Sequence, residues 1–320
     1  MSDARPPALE VAIRGIGLLA PGLSSWPIAA AVLRGEAAYE PTAALLPPPA
    51  RLPPAERRRA GPSIRLAMAV ADEAIGHAAI DPQHLATVFA SSGGEGSNCH
   101  VLCETLAGAD RQISPTRFTN SVHNAPAGYW HIAVGSRSAS TSLSAYDGSF
   151  AAGLLEAATQ VLATGSEVLL VALDVPYPEP LHRLRPLPGA AGTALVLAPP
   201  DAAGALARVA IGLVDAPRAG PLSPCADSGL DVLRSQVPAP RIRSRPAPAG
   251  RSRCGADVPD RGGCWRGRRC GRGPTVRGRR AGTSSRRAES VRRCRHGRAA
   301  MSPSVHPGRR TTACSASVGR

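Results

Sequence analysis

The chain has 320 residues, 38 Lys plus Arg against 23 Asp plus Glu, and a formal net charge of +15. These totals average two unlike pieces: residues 1–240 hold 16 Arg and 20 acids, whereas residues 241–320 hold 22 Arg and only Asp257, Asp260 and Glu289. The second piece has no Leu, Phe or Tyr and a single Ile, Ile242, too little apolar surface to offset a chain entropy of roughly 1–2 kcal/mol per residue, which excludes a second folded domain there.

Residues 1–8 read as a flexible amino terminus and 9–236 as one domain rich in Ala, Leu, Val and Ile, long enough for its own core. The opening MSDARPPALE has no apolar stretch, and the longest strongly apolar run, Val168 to Leu173, is far short of the ~20 residues that span a bilayer. A soluble, cytoplasmic chain with no membrane span is expected. Only Cys99, Cys103 and Cys225 precede residue 241, so reduced thiols are expected rather than a disulfide scaffold.

In chain order, Leu9 to Ile16 is β-rich and runs into Pro21 and Gly22, predicting a buried strand that ends in a loop. Ser25 to Leu33 reads as a short helix and Pro41 to Pro54 as a surface loop. Ser63, after Pro62, reads as the N-cap of a longer helix in which Ile64, Met68, Ala71, Ile75 and Ala78 make an apolar stripe. Short apolar runs predict strands at Thr87–Ala90, Thr141–Ala145, Val168–Leu173, Thr193–Leu197 and Val209–Val214. Between the second and third of these a helix from about Gly148 to Ala163 places Phe150, Leu154, Ala158, Val161 and Leu162 on one buried face. Strands alternating with helices imply an α/β layered domain.

Three segments carry more than periodicity: VAIRGIGLLAPG (Val11 to Gly22), TVFASSGGEG (Thr87 to Gly96) and RFTNSVHNAPAGYWHIAVGSRSASTSLSAYDGSFAAG (Arg117 to Gly153). In this order they resemble the amino-terminal half of a β-ketoacyl synthase. The resemblance rests on the Gly15-x-Gly17-x-x-x-Pro21 turn, the Ser91–Gly94 loop, and Asn124, Ala127, Gly128 and Gly135 around a helix before the strand that delivers the nucleophile. It implies an α/β fold that is one half of the thiolase-like fold, a mixed sheet with helices packed on it; the composition adds a disordered Arg-rich tail over 237–320.

The family's chemistry uses a cysteine at the sharp turn after that strand, where the next helix's amino end stabilises a thiolate and an oxyanion. Matching Ser144-Ala145 to the family's Thr-Ala puts Tyr146 at the cysteine position; a slip of one residue puts Asp147 there. No cysteine lies between Cys103 and Cys225, and after His182 only His296 and His306 occur, both in the Arg-rich tail, so neither catalytic histidine of the family is assignable. A phenol stays protonated near neutral pH, and an acyl-aspartate would be a reactive anhydride; condensation by the usual route is not expected.

Each feature also has a plain structural explanation. For Asp147 it is a helix N-cap, for Tyr146 a ring packed under the turn, and for Ser144 and Ser149 ordinary turn serines without a base. Tyr146, Asp147 and Phe150 are the acyl-pocket candidates under the resemblance. Gly15-Ile16-Gly17-Leu18-Leu19-Ala20 also fits a dinucleotide-binding pattern, but Pro21 and Gly22 interrupt the helix that pattern needs; no cofactor is expected. Cys99, His100 and Cys103 could share a helix face, but a zinc site needs about four ligands, so core or half-buried thiols are expected and no metal. His123 and His131 read as hydrogen-bonded within the layer. Arg57–Arg59 is a solvated patch or a steering site for an acidic acyl carrier protein.

The stretch RGGCWRGRRCGRG (Arg261 to Gly273) could be RNA-binding, but Trp265 alone interleaves it. Arg, Gly, Pro, Ala, Ser and Cys without Leu or Lys is what GC-rich DNA gives in the wrong frame, so a frameshift near Val237 accounts for more of these features; nucleic acid is not expected as a partner. The resemblance then implies a non-elongating protein like a chain-length factor. It would pair with an active ketosynthase and act with acyl carrier protein in fatty-acid, polyketide or aryl-polyene synthesis. A cysteine-independent acyltransferase or decarboxylase, or a nonfunctional truncated remnant, are the alternatives.

Overall fold

The computed structural model describes residues 8–215, 227–237 and 312–319. The chain divides into two units, residues 1–250 with 311–320, and residues 251–310; the second lies wholly outside the described residues. So do the expectations about residues 1–7 and the Arg-rich stretch that contains Trp265, His296 and His306.

The sheet is built from β1 (Leu9–Leu19), β2 (Ala86–Ala90), β3 (Ser140–Leu143), β4 (Val168–Asp174), β5 (Ala191–Ala198), β6 (Ala207–Asp215) and β7 (Thr312–Gly319), in the order β3-β2-β4-β5-β1-β6-β7. β3, β2 and β4 are mutually parallel, while β5, β1 and β6 follow as antiparallel neighbours. β7, the one described segment beyond Val237, pairs antiparallel with the outer side of β6. It lengthens the sheet of the first unit.

Both faces of the sheet are covered. Along β4, Val168, Leu170 and Ala172 enter one apolar cluster and Leu169, Val171 and Leu173 the other, the period-two alternation of a strand buried on both sides. The first cluster lies under α1 (Trp26–Leu33), α7 (Ser149–Thr164) and α9 (Ser228–Gln236); the second lies under α3 (Pro62–Ala78) and α6 (Ala125–Val134). Each fully buried Leu, Ile, Val or Phe in these clusters contributes about 1.5–3 kcal/mol.

The predicted α/β order, a mixed sheet with helices packed on it, holds with local corrections. Gly61, not Ser63, is the N-cap of α3 and Pro62 opens the helix. Ser63 is buried one residue further in, where its amide and hydroxyl both donate to Glu95 Oε2, at 3.2 and 2.5 Å. Leu162 is 42% exposed, because the buried face of α7 runs through Gly153, Leu154, Ala157, Ala158 and Val161 instead. β1 continues three residues past Ile16, and β3 stops at Leu143, leaving Ser144 and Ala145 in the following turn. The Pro41–Pro54 loop is irregular as far as Pro53, where the short α2 (Pro54–Arg59) begins.

Gly15 and Gly17 are explained by packing. A Cβ at Gly15 would lie 2.1 Å from the Ala74 carbonyl oxygen, and one at Gly17 would lie 2.0 Å from that of Val70. The strand backbone thus rests directly on α3. Both glycines sit inside β1, so no helix amino end faces them and the dinucleotide pattern has no structural counterpart here.

Candidate functional site

The loops after β2, β3 and β4 leave the carboxyl ends of three parallel strands, the place where α/β sheets collect their ligands. β3 is the edge strand, and its turn into α7 is drawn against the β2 loop. The Ser91 amide donates to the Leu143 carbonyl at 3.2 Å and the Ser144 hydroxyl to the Ser92 carbonyl at 3.4 Å.

Tyr146 lies at the apex of this turn, on a 3-10 turn Tyr146–Gly148, with φ of +52°. A non-glycine residue there costs about 1–3 kcal/mol and persists only where the surroundings hold it. Ser149 supplies much of that hold: its hydroxyl donates to the Tyr146 carbonyl at 2.7 Å and accepts the Ala145 amide at 3.0 Å. Ser149 is thus a buried structural serine, and the expectation of an ordinary turn residue stands.

The Tyr146 ring is not packed under the turn: it is 65% exposed and carries the Arg185 guanidinium over its face, 3.7 Å from the ring centroid. Asp147 does not cap α7 either. Gly148 is the N-cap residue, and Asp147 Oδ1 accepts a 2.7 Å hydrogen bond from Arg185 Nη2. Phe150, only 2% exposed, faces the core in the cluster that holds Val88, Ala90 and Leu170. Of the three acyl-pocket candidates, Tyr146 and Asp147 therefore meet at Arg185, and Phe150 lies beneath them in the core.

Beneath this stack lies a second group of polar residues that the sequence reading missed. Asp174 closes β4 with 3% exposure, and its Oδ1 accepts the Ser92 amide at 2.8 Å and the hydroxyls of Ser92 and Ser91 at 2.6 and 3.4 Å. Burial pushes the Asp174 carboxyl up from its ordinary value, with the Ser92 bonds and the Arg185 charge pulling the other way. The Ser92 and Tyr177 hydroxyls are 3.2 Å apart. A Cβ on Gly93 would fall 2.3 Å from the Tyr177 oxygen, so this loop requires glycine for space. His123 Nε2 donates to the Ser91 carbonyl at 3.2 Å, and His131 Nε2 lies 3.1 Å from the Thr87 hydroxyl. Both histidines are held within the layer as expected.

The remaining candidates lie elsewhere. Cys99 and Cys103 are exposed on α4 (Gly96–Ala107), a helix with no buried residue, which corrects the expectation of core or half-buried thiols. His100 pairs with Glu104 at 3.2 Å on the same helix. Arg57, Arg58 and Arg59 are all exposed; Arg57 donates to the carbonyls of Ala50 and Leu52, and Arg59 pairs with Glu56 at 3.1 Å. Among the described residues no helix is long and apolar enough to cross a membrane.

A sequence-family model described as β-ketoacyl synthase, N-terminal domain, matches residues 33–218. No curated protein matches the chain. Among solved structures, one chain of a complex of a ketosynthase (ApeO) with its chain length factor (ApeC) from Xenorhabdus doucetiae is 26% identical, covering 70% of this chain and 90% of that one, with a TM-score of 0.54. A β-ketoacyl synthase from Burkholderia phymatum STM815 shares the fold at 15% identity and a TM-score of 0.52, covering 71% of this chain and 69% of that one. The ishigamide ketosynthase/chain length factor does so at 15% identity and 0.52, covering 65% of this chain and 68% of that one.

Proposed function

Since the chain belongs to the β-ketoacyl synthase family through its amino-terminal domain, we propose that it is a non-elongating member that pairs with an active ketosynthase and shapes its acyl channel. The observation that carries this reading is the turn between β3 and α7, which presents Tyr146 at φ +52°; the resemblance matches Tyr146, or Asp147 one residue on, to the family's cysteine. The nearest cysteines in sequence, Cys103 and Cys225, are far outside the turn. A phenol and the Arg185-paired carboxylate of Asp147 cannot take an acyl group as a thiolate does.

The partner role draws support from two further facts. The 26% identical chain from the ketosynthase–chain length factor complex is covered over 90% of its length, so a chain of this span can serve in such a complex. Moreover, the segment from α4 through α5 (Pro115–Asn120) to α6 exposes Leu106, Ile113, Phe118, Val122 and Ile132, an apolar supply suited to a protein interface. Its carrier-borne substrates would be those of fatty-acid, polyketide or aryl-polyene assembly.

The deciding experiment co-expresses the chain with a ketosynthase, purifies the complex and determines product lengths with and without it. Co-purification with a changed product length is the expected result. A purified chain that by itself forms a stable acyl adduct at Tyr146 or Asp147 from a carrier thioester would overturn the reading in favour of a cysteine-independent acyltransferase.

A further inference from the structure

The strongest unassigned feature near the turn is Arg185, which lies 39 positions after Tyr146 in the chain and just past α8 (Leu181–Leu184). Its side chain is largely withdrawn from solvent and holds two neighbouring residues of the turn at once. Cζ lies 3.7 Å from the centroid of the Tyr146 ring, and Nη2 donates to Asp147 Oδ1 at 2.7 Å. The Tyr177 ring stands on a further side, 5.9 Å from Cζ. Nε and Nη1 are buried without a hydrogen-bond partner among the described residues, so the stack and the ion pair are what fix the guanidinium.

This arrangement inverts the usual expectation for an exposed aromatic. Tyr146 has only its own two side-chain torsions and a strained backbone to define its direction, and the core gives its ring no walls. Arg185 supplies one: a planar cation on the ring face, itself oriented by the neighbouring carboxylate. We propose that Arg185 is the positioning residue of Tyr146 and, resting on the reading that Tyr146 limits the partner's acyl channel, a determinant of product length.

The test separates the two statements. The protein has four tyrosines, Tyr39, Tyr129, Tyr146 and Tyr177, so fluorotyrosine labelling gives a short 19F spectrum in which Tyr146→Phe assigns the resonance. Arg185→Ala should move that resonance toward the position of free fluorotyrosine and narrow it. Arg185→Lys, which keeps a cation over the ring, should restore part of the shift, as a merely structural side chain would not. An unmoved Tyr146 resonance in Arg185→Ala, with the fold intact by the Tyr39 and Tyr129 resonances, overturns the positioning role whatever the protein's function.

In the purified ketosynthase complex, Arg185→Ala should broaden the product distribution by at least one two-carbon unit, Tyr146→Ala should do the same, and the double variant should go no further. Independent, additive effects would overturn the coupling. A wild-type chain without influence on product length would instead defeat the function proposed above and the length statement with it, leaving the 19F result to decide the positioning alone.

Discussion

Asp174, at the end of the fourth strand, receives the amide and the hydroxyl of Ser92 on the same oxygen, at 2.8 and 2.6 Å. One buried carboxylate thus ties the loop after β2 to the strand beside it, in the layer just below Tyr146 and Arg185. Removing it by Asp174→Ala takes the acceptor from the Ser92 amide and the Ser91 hydroxyl, while the Ser92 hydroxyl keeps Tyr177 at 3.2 Å, and should cost about 1–3 kcal/mol, read as a lower urea midpoint.

The same residue gives a pH dependence with a definite sign. Because burial raises its pKa, outweighing the opposing Ser92 bonds and Arg185, the folded state keeps the proton where the unfolded chain has released it. Its contribution to stability is full below the ordinary carboxylate value of about 3.9 and declines as pH rises through the raised folded value. Asp174→Asn removes the titration. The stability of the wild type relative to Asp174→Asn should therefore fall between pH 4 and 7 in urea titrations; a difference that stays flat or rises would refute the assignment.

A second prediction concerns glycine placement around α3. Gly76, near the end of that helix, would meet nothing within 4 Å if given a Cβ, while Ala79 closes the helix with φ of +53°. Intrinsic preferences favour the reverse arrangement, alanine inside and glycine at the left-handed stop. Gly76→Ala and Ala79→Gly should each raise stability by about 0.5–1 kcal/mol. In contrast, Gly15→Ala and Gly17→Ala drive a methyl into the α3 backbone and should each cost about 3 kcal/mol. Thermal melting of the four variants orders them directly.

How far the residues themselves announce this structure depends on the range of the interaction. The α3 stripe, the β4 run and the buried face of α7 are set by neighbours within a turn or two, so periodicity finds them. The turn is found too, because Ser144-Ala145 and Gly148 bracket it in sequence. What holds the turn is not legible this way. Arg185 reaches it across 38 residues from Asp147, in a segment, Tyr177 to Pro186, whose prolines and polar residues have no period. Asp174 left one faint mark, a lone acid closing an otherwise apolar strand at its carboxyl end. Leu162 falls at the edge of the α7 face, whose other expected residues, Phe150, Leu154, Ala158 and Val161, are all buried, and periodicity alone does not separate an edge position from the face.

The strain at the apex is open to measurement by comparing two truncations. Tyr146→Ala and Tyr146→Gly both lose the ring and the Arg185 stack, but only glycine accepts φ of +52° without penalty. Tyr146→Gly should exceed Tyr146→Ala in stability by about 1 kcal/mol. Equal stabilities would mean that the backbone relaxes out of the left-handed region once the ring is gone.

A thiol can also be placed at the turn. In Tyr146→Cys the introduced thiol stands before the amino end of the 16-residue α7 and beside the Arg185 cation, and both favour the thiolate. Cys99, exposed on α4, is its internal reference: partial desolvation of the sulfur by its neighbours first, then Cys103 and Glu95, push that thiol up. Iodoacetamide at pH 7 should therefore alkylate the introduced thiol faster than Cys99, as read by peptide mass spectrometry. Adding Arg185→Ala should shrink that advantage by lifting the pH midpoint of the labelling rate. If the introduced thiol reacts no faster than Cys99, the turn does not provide the electrostatic field of a nucleophile site.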